Sequence, residues 1–429
     1  LLICKLKGKS YEFPLNSLTD KSVERIKALL EKSPATTSSD LSYLNEAFGV
    51  TLFAKERSLW NENTSEIASR LSWPAESKNK SITSYRFYPP KDYTFLGAHP
   101  YCATLYGNEN EQGDRLSLVF ANKGDYGSTS GLGPDHFKKI HPDLKMPSSL
   151  NAAIELDAKL ITESLTKALK QEPVEQYYGE KEDKRKILRW DADEHAFLLT
   201  SVEGEFTSLL IVSKENADKE GKVNFIKDSL LKAKLLKNVT KADNGDINIA
   251  NIPMVNQGPK GYCAPATFER AMSYMSIPAD MYLLATAATQ EGGGTNTYLL
   301  AESCKRIVRS KARKIRDINL EEDLDIKFVK KYIDKGVPIL WQMRSLEEYN
   351  RIANDRTAKR KSIKEFDTWT KQIQKESDDV SLAMKANQSN HHICMIIGYN
   401  EKTRELAVSD SWGPRYELRW VHIDIAKAV

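Results

Sequence analysis

The first chemically distinctive residue is Cys263, which lies where a loop enters a predicted helix. The stretch 252–267 is rich in glycine and proline, which excludes regular structure for most of its length. Apolar residues at helical spacing follow the cysteine: Phe268, Met272 and Met275. Pro265 fits the first turn of this helix, where its missing N–H costs no intrahelical hydrogen bond. Because the positive end of a helix stabilises a thiolate, Cys263 is a candidate nucleophile.

Such a nucleophile needs a base and a group that stabilises the charge developing on its substrate. Gln257 precedes Cys263 by six positions across the bend of the loop. Its side-chain N–H and the backbone N–H of Cys263 would together form an oxyanion hole, in which each donor typically contributes ~3 kcal/mol. A histidine beside the thiol would form a thiolate–imidazolium pair with it.

The required histidine occurs late in the chain, in a predicted β-hairpin. His391 and His392 lead into the apolar run 393–399, which predicts a buried strand, and a second strand at 405–408 ends just before Asp410. A hairpin brings the start of its first strand near the end of its second. His392 and Asp410 would then be neighbours, and Asp410 would fix the imidazole tautomer by accepting its hydrogen bond.

Together these residues resemble the papain-like cysteine peptidases. The sequence segments QGPKGYCAPAT and HHICMIIGYN are most similar to those of the bacterial branch related to the double-glycine leader, or bacteriocin-processing, peptidases. The resemblance covers about residues 250–429 and implies a catalytic helix packed on an antiparallel sheet. It also implies four roles: oxyanion donor for Gln257, nucleophile for Cys263, general base for His392 and orienting acid for Asp410.

Two details refine this resemblance. His392 is preferred to His391 because it stands six residues before Gly398, as in the family pattern. Papain itself has a tryptophan directly after the nucleophile and an asparagine in the third position, whereas Ala264 and Asp410 fit the leader-peptidase branch better. Nothing suggests the transporter to which those peptidases are often fused, so double-glycine cleavage is not inferred.

The sequence pattern predicts an α+β protein in which two further parts, a small module and a domain, precede the papain-like part. A hairpin near Gly8 indicates a small β-rich, barrel-like module at residues 1–33, which a polar linker follows. A mixed α/β domain of unknown role extends over residues 41–240, and the papain-like domain over residues 245–429. In the middle domain, periodicity predicts a helix at 150–169 and strands at 85–88, 101–106, 116–120, 197–200 and 209–212.

Composition and charge exclude several classes of protein. Hydrophobic residues make up 40% and charged residues 28% of the chain, which excludes disorder, collagen and a disulfide-dense scaffold. The net charge of +4 gives no argument for nucleic-acid or membrane binding. No apolar run approaches the ~18 residues of a membrane span. We therefore expect no nucleic-acid partner and no membrane span. The resemblance to cysteine peptidases implies a peptide or protein substrate and no cofactor.

The other cysteines, one group of histidines and aspartates, and a glycine-rich loop are not predicted to form functional sites. The five cysteines are sparse, and Cys304 and Cys394 are predicted core residues. One set has the residue types of a metal site but not the spacing of a metal motif: Asp135, His136, His141 and Asp143. The glycine-rich loop 122–127 lacks the strand, motif and helix order of a phosphate loop. No metal is therefore predicted.

Three segments have competing interpretations. The polar insertion 344–388 contains apolar residues at helical spacing, so its amphipathic helix is either a lid or a surface helix: Ile363, Phe366, Trp369 and Ile373. The loop 291–296 is either a plain turn or a strip that pairs with substrate backbone. The region 41–240 is also a candidate propeptide, because it precedes the catalytic domain.

The expected function is hydrolysis of peptide bonds through an acyl-thioester on Cys263. Two alternatives stay open: an inactive papain-like binding or scaffold protein, and a transglutaminase-type acyl transferase with the same triad. The chain begins at Leu1 without a methionine, so we expect that an N-terminal segment precedes it in the precursor. Export to the periplasm or the medium of a bacterium is favoured over the cytoplasm.

Overall fold

A computed structural model describes most of the chain. The described residues are 2–6, 9–13, 40–79, 82–126, 141–180, 184–222, 226–289, 294–320, 324–363, 365–385 and 391–429. They form a two-stranded, an eight-stranded and a six-stranded antiparallel sheet, with helices packed on the two larger ones. This mixture of helices and antiparallel sheets confirms the predicted α+β class.

The first sheet is the hairpin predicted near Gly8. Strand β1 (Leu2–Leu6) pairs antiparallel with β2 (Lys9–Phe13), and Cys4 lies opposite Tyr11. The hairpin itself is therefore confirmed. The rest of the predicted module, residues 14–33, lies outside the described residues.

The second sheet belongs to the middle domain and has the strand order β3-β4-β5-β6-β10-β9-β8-β7. Its strands are β3 (Ala75–Lys78), β4 (Thr83–Phe87), β5 (Cys102–Gly107), β6 (Gly113–Asn122), β7 (Val174–Tyr178), β8 (Arg185–Ala192), β9 (His195–Val202) and β10 (Phe206–Ser213). The five strands predicted from apolar runs are all present. Periodicity does not reveal β3, β7 and β8, because charged residues interrupt their apolar alternation.

Helices of the middle domain cover this sheet: α1 (Leu44–Phe48), α2 (Thr64–Leu71), α3 (Lys123–Tyr126), α4 (Leu150–Leu169) and α5 (Lys214–Asp218). Helix α4 has the predicted bounds. It begins after Ser149, whose side chain accepts a hydrogen bond from the N–H of Ala152. Its apolar face, with Ile161 and Leu165, shares one core with Phe197 of the sheet.

The third sheet forms the framework of the C-terminal part. Its strands are β11 (Val239–Lys241), β12 (Asp246–Ile249), β13 (Ile339–Arg344), β14 (His391–Asn400), β15 (Glu405–Ser409) and β16 (Arg419–His422). One edge of β14 pairs with β15, and its other edge is shared between β13 and β12. The long apolar strand predicted after His392 is therefore the centre of this sheet.

Helices pack around the third sheet: α6 (Asp228–Lys237), α7 (Cys263–Tyr274), α8 (Met281–Thr286), α9 (Thr297–Ser310), α10 (Ile326–Ile333), α11 (Glu347–Arg360), α12 (Phe366–Lys385) and α13 (Ile423–Ala428). Leu231 and Leu235 of α6 belong to the core of this sheet, and β11 pairs with β12. These contacts begin before residue 245. No helix in the described part of the chain has the length and apolar character needed to cross a bilayer.

Helix α7 lies between the two larger sheets. Ala264 and Phe268 pack in an apolar core with Ile393 of β14. The polar side chain of Glu269 points instead to the middle domain, where it accepts a hydrogen bond from Tyr106 at 3.1 Å and lies 3.6 Å from Arg86. Burial raises the pKa of Glu269 to about 7, although the nearby Arg86 opposes this shift. The two domains therefore share a buried polar interface along α7.

The predicted amphipathic helix of the insertion is α12, which begins at Phe366 and therefore does not include Ile363. One face of this helix packs on the third sheet. Trp369 and Ile373 are buried, and the indole N–H of Trp369 donates to Glu405 of β15 at 3.1 Å. Gln374 donates to Asp424 at 3.4 Å. This face of the helix therefore contacts β15 and α13, whereas the side chains of 376–390 lie outside the description.

Gly398 allows the crowded centre of the third sheet to form. A Cβ at this position would lie 2.5 Å from the backbone oxygen of Ile247 and 2.9 Å from Ala407 Cβ. We expect Gly398→Ala to lower the free energy of unfolding by about 1–3 kcal/mol, because neighbouring strands cannot separate without losing their pairing. Chemical denaturation measures the change. Gly294→Ala, whose Cβ meets nothing within 4 Å, is the control; equal stability of the two variants would contradict this packing argument.

Candidate active site

Cys263 is the first residue of helix α7, as the sequence predicts. Tyr262 is the N-cap, with φ −96° and ψ 26°, and Pro265 lies within the first turn. The Cys263 side chain is partly exposed, whereas Tyr262 and Ala264 on either side are buried. The thiol is thus accessible at the end of the helix where unpaired N–H groups stabilise an anion.

His392 and Asp410 are adjacent, although they are 18 residues apart in sequence. In the β14–β15 hairpin, Met395 pairs with Ser409, which brings the start of β14 beside the end of β15. His392 Nε2 lies 2.9 Å from Asp410 Oδ1, and both side chains are buried. Nε2–H therefore donates to Asp410 and leaves Nδ1 for the second partner of the ring. His391, the neighbouring histidine, is exposed.

The second partner of His392 is Cys263, because their side chains are hydrogen bonded. Burial raises the pKa of the Cys263 thiol, but the hydrogen bond and charge of His392 outweigh burial and bring the pKa below its usual value. Burial lowers the pKa of His392, but its hydrogen bonds to Asp410 and Cys263 raise it to about 9. Each group therefore favours the charged form of the other, which is the electrostatic basis of a thiolate–imidazolium pair.

Asp410 is held by Arg419 of β16, which sequence reasoning did not identify. Arg419 donates to Asp410 Oδ2 from Nε at 3.1 Å and from a terminal nitrogen at 2.5 Å. Burial raises the pKa of Asp410, but His392 and Arg419 together hold it below its usual range. Arg419 also donates to Asn350 and Asn354 of helix α11, at 3.1 and 3.4 Å. The insertion therefore supports the acid of the site.

Trp412 covers the histidine. Its ring stacks on the imidazole of His392, with centroids 4.7 Å apart and planes at 28°. Tyr416 packs edge-on against Trp412 at 5.5 Å, and the guanidinium of Arg419 lies 5.3 Å from the indole centroid. This aromatic cover limits the access of water to the His392–Asp410 hydrogen bond, which strengthens the interaction.

Gln257 lies in the loop that precedes Cys263 and is fixed at both its backbone and its side chain. Its backbone N–H donates to the carbonyl of Ser411 at 2.8 Å, next to Asp410. Its side-chain Nε2 donates to the carbonyl of Lys260 at 3.1 Å. One of the two N–H groups of the amide is thereby used, and the other remains for a ligand.

Two buried side chains of helix α7 connect the elements of the site. Thr267 donates to the carbonyl of Ile393 at 3.2 Å, which ties the cysteine helix to the histidine strand. Arg270 donates to the carbonyl of Pro253 at 2.9 Å and to Ser409 Oγ at 2.5 Å. Burial lowers the pKa of Arg270 to about 10, so it is still charged at neutral pH. No local motif indicates either role, because their partners are remote in sequence.

The remaining candidate residues lie elsewhere. Cys304 and Cys394 are fully buried in apolar cores, which confirms their predicted packing. Asp135 and His136 lie outside the described residues, Asp143 is exposed, and His141 contacts the carbonyl of Gly97 at 2.7 Å. Within the described ranges, no three His, Cys, Asp or Glu side chains form a group that could hold a metal ion.

The glycine-rich loop 291–296 is described only from Gly294 onwards. A Cβ added to Gly261, two residues before the thiol, would lie 3.7 Å from the Cα of Gly294. The end of this loop is therefore adjacent to Cys263. That position is compatible with either interpretation made from the sequence, a plain turn or a strip along the substrate.

Selective alkylation tests the state of the thiol. We expect iodoacetamide at pH 6–7 to modify Cys263 about ten-fold or more faster than Cys102 or Cys394, because the latter are buried and have raised pKa values. His392→Ala should abolish the preference, whereas His391→Ala should retain it. Peptide mapping by mass spectrometry measures each rate. Equal labelling of all accessible thiols in the unaltered protein would exclude an activated Cys263.

Comparison with known proteins finds a similarity in the C-terminal part of the chain. Residues 249–426 match the model of the Peptidase_C39 like family. No curated protein and no solved structure gives a significant match. The family match supports a cysteine peptidase without distinguishing the leader-peptidase branch. The C-terminal part is therefore similar to C39-type cysteine peptidases over the segment that contains Gln257, Cys263, His392 and Asp410.

Proposed function

We propose that this protein is a cysteine peptidase whose catalytic groups are Cys263, His392, Asp410 and Gln257. The observation that supports it most directly is the hydrogen-bonded series from Cys263 through His392 to Asp410, with 2.9 Å between the last two. The similarity of residues 249–426 to the C39-like family gives independent support. A peptide or protein is the corresponding substrate.

In the acylation step, the thiolate of Cys263 attacks the carbonyl carbon of the scissile peptide bond. The carbonyl oxygen becomes an oxyanion, which accepts hydrogen bonds from the second side-chain N–H of Gln257 and the backbone N–H of Cys263. The imidazolium of His392 then donates its Nδ1 proton to the leaving nitrogen as the C–N bond breaks. An acyl-thioester on Cys263 and a free amine result.

Deacylation uses the same groups in the reverse direction. Neutral His392 removes a proton from a water molecule, and the resulting hydroxide attacks the thioester carbonyl. The C–S bond breaks, the carboxylic acid leaves, and the thiolate–imidazolium pair is restored. Asp410 keeps the imidazole in one tautomer and orientation throughout, because Nε2–H is fixed on its carboxylate.

Cleavage of a peptide library tests this function. The unaltered protein should produce defined new termini that Cys263→Ala does not, and mass spectrometry identifies them. Unchanged cleavage by Cys263→Ala would contradict a role for the thiol. Absence of cleavage by either form would support the binding-scaffold alternative. Products joined to an added primary amine, in place of free carboxylates, would support acyl transfer.

The pH profile tests the pairing of His392 with Asp410. Turnover should rise as Cys263 ionises, and it should fall as the pH passes through about 9, where His392 loses the proton needed by the leaving group. Asp410→Asn removes a group that raises the pKa of His392, so the alkaline limb should move to lower pH. Asp424→Asn, an acid of the same domain outside the site, is the control. An unmoved alkaline limb in Asp410→Asn would contradict this assignment.

A further inference from the structure

Lys260, between Gln257 and Cys263, is buried in a cage formed by both domains. Its Nζ donates to both oxygens of Asp125, at 2.6 and 2.5 Å, and to the hydroxyl of Tyr282 at 2.5 Å. Three tyrosine rings surround the ammonium group, with centroids 4.7 to 5.5 Å from Nζ: Tyr88, Tyr262 and Tyr282. Asp125 and Tyr88 belong to the middle domain. The ammonium thus has a partner for each of its three donors within a desolvated site.

The backbone of Lys260 is connected to the proposed oxyanion donor. Its carbonyl oxygen accepts from Gln257 Nε2 at 3.1 Å and from the backbone N–H of Tyr262 at 2.8 Å. A displacement of Lys260 would therefore move the amide of Gln257 and the residue that caps helix α7. The side chain of Lys260 contacts the middle domain while its carbonyl orients the active-site loop.

Further contacts from the middle domain fix the rest of this loop. The N–H of Asn256 donates to Glu76 at 2.6 Å, and its carbonyl accepts from the hydroxyl of Tyr88 at 2.5 Å. On the other side of Lys260, a Cβ at Gly124 would lie 1.7 Å from the hydroxyl oxygen of Tyr262. The absence of a side chain at Gly124 is thus what allows Tyr262 to occupy its position beside Cys263.

We propose that Lys260 is a positioning residue, through which Asp125 of the middle domain fixes the oxyanion donor Gln257. The middle domain is then a constitutive part of the catalytic unit, in contrast to a propeptide that must be removed. The segment predicted as a glycine-rich loop is in fact the end of β6 and helix α3, and it supplies both Asp125 and, at Gly124, the space for Tyr262. The inference rests on the proposed peptidase function.

The test compares Asp125→Asn with Glu62→Gln in the full chain. Glu62 is a matched control, because it is also a buried carboxylate of the middle domain and is paired with Arg70 at 2.8 and 3.0 Å. Asp125→Asn should lower kcat for a library-derived peptide by about ten-fold or more, since a displaced oxyanion donor stabilises the transition state poorly. Glu62→Gln should retain the kcat of the unaltered protein.

A second measurement separates positioning from general damage. Alkylation of Cys263 by iodoacetamide requires the thiolate but no oxyanion hole, so its rate should stay within about two-fold in Asp125→Asn. Amide hydrogen exchange of residues 253–262 should become faster in Asp125→Asn and not in Glu62→Gln. If Asp125→Asn does not fold, Gly124→Ala is the second variant. It keeps the Lys260–Asp125 ion pair but displaces Tyr262, so it should also lower kcat and speed the exchange of residues 253–262.

The possible outcomes are distinct. Unchanged kcat with unchanged exchange of the loop would overturn the proposal, and so would an equal loss of turnover and alkylation, which indicates general damage to the site. If the unaltered protein cleaves no peptide, the peptidase function fails. Amide hydrogen exchange of residues 253–262 still tests the inference in that case. Slow exchange in both variants overturns it, whereas faster exchange in Asp125→Asn alone supports the positioning of this loop.

Discussion

The structure of the site depends on a line of interacting polar groups, which runs from Cys263 through His392 and Asp410 to Arg419. His392, Asp410 and Arg419 are 6%, 0% and 1% exposed, so water does little to stabilise their charges. In such surroundings an unpaired charge is costly, and each group depends on its neighbour. The hydrogen bonds that raise the pKa of His392 to about 9 thus also connect the nucleophile to Arg419, which lies on the far side of Asp410.

These four groups occur along the chain in the same order as they contact one another in space. Cys263 begins helix α7, His392 is near the start of β14, Asp410 follows β15 and Arg419 begins β16. Because β14, β15 and β16 are adjacent in the sheet, His392, Asp410 and Arg419 face one another across successive strand spacings, whereas Cys263 reaches His392 from helix α7. The sheet thus determines the geometry of the site, and the core residues that keep it in register, such as Gly398, support that geometry.

The sequence predicts the parts of this arrangement that have local signals. A thiol at a helix start and a hairpin with a polar turn are visible as periodicity and turn residues, and they are sufficient to bring His392 beside Asp410. The positions of Arg419 and Asp125 have no such signal. Arg419 resembles any charged residue of a strand, and Asp125 lies 135 residues before Lys260. Their roles arise from tertiary contacts, which single-sequence patterns do not encode.

The loop before Cys263 takes its hydrogen-bond partners from both larger sheets. The backbone of this loop is irregular, and Gly258 has a φ of +71°. Such a segment cannot pair its own N–H and C=O groups as a helix or strand does, so other elements must supply partners. Ser411 binds the N–H of Gln257 from one side, while Glu76 and Tyr88 bind Asn256 from the other. Because two of these three partners, Glu76 and Tyr88, lie on the eight-stranded sheet or directly after one of its strands, the environment of this loop is built from both larger sheets.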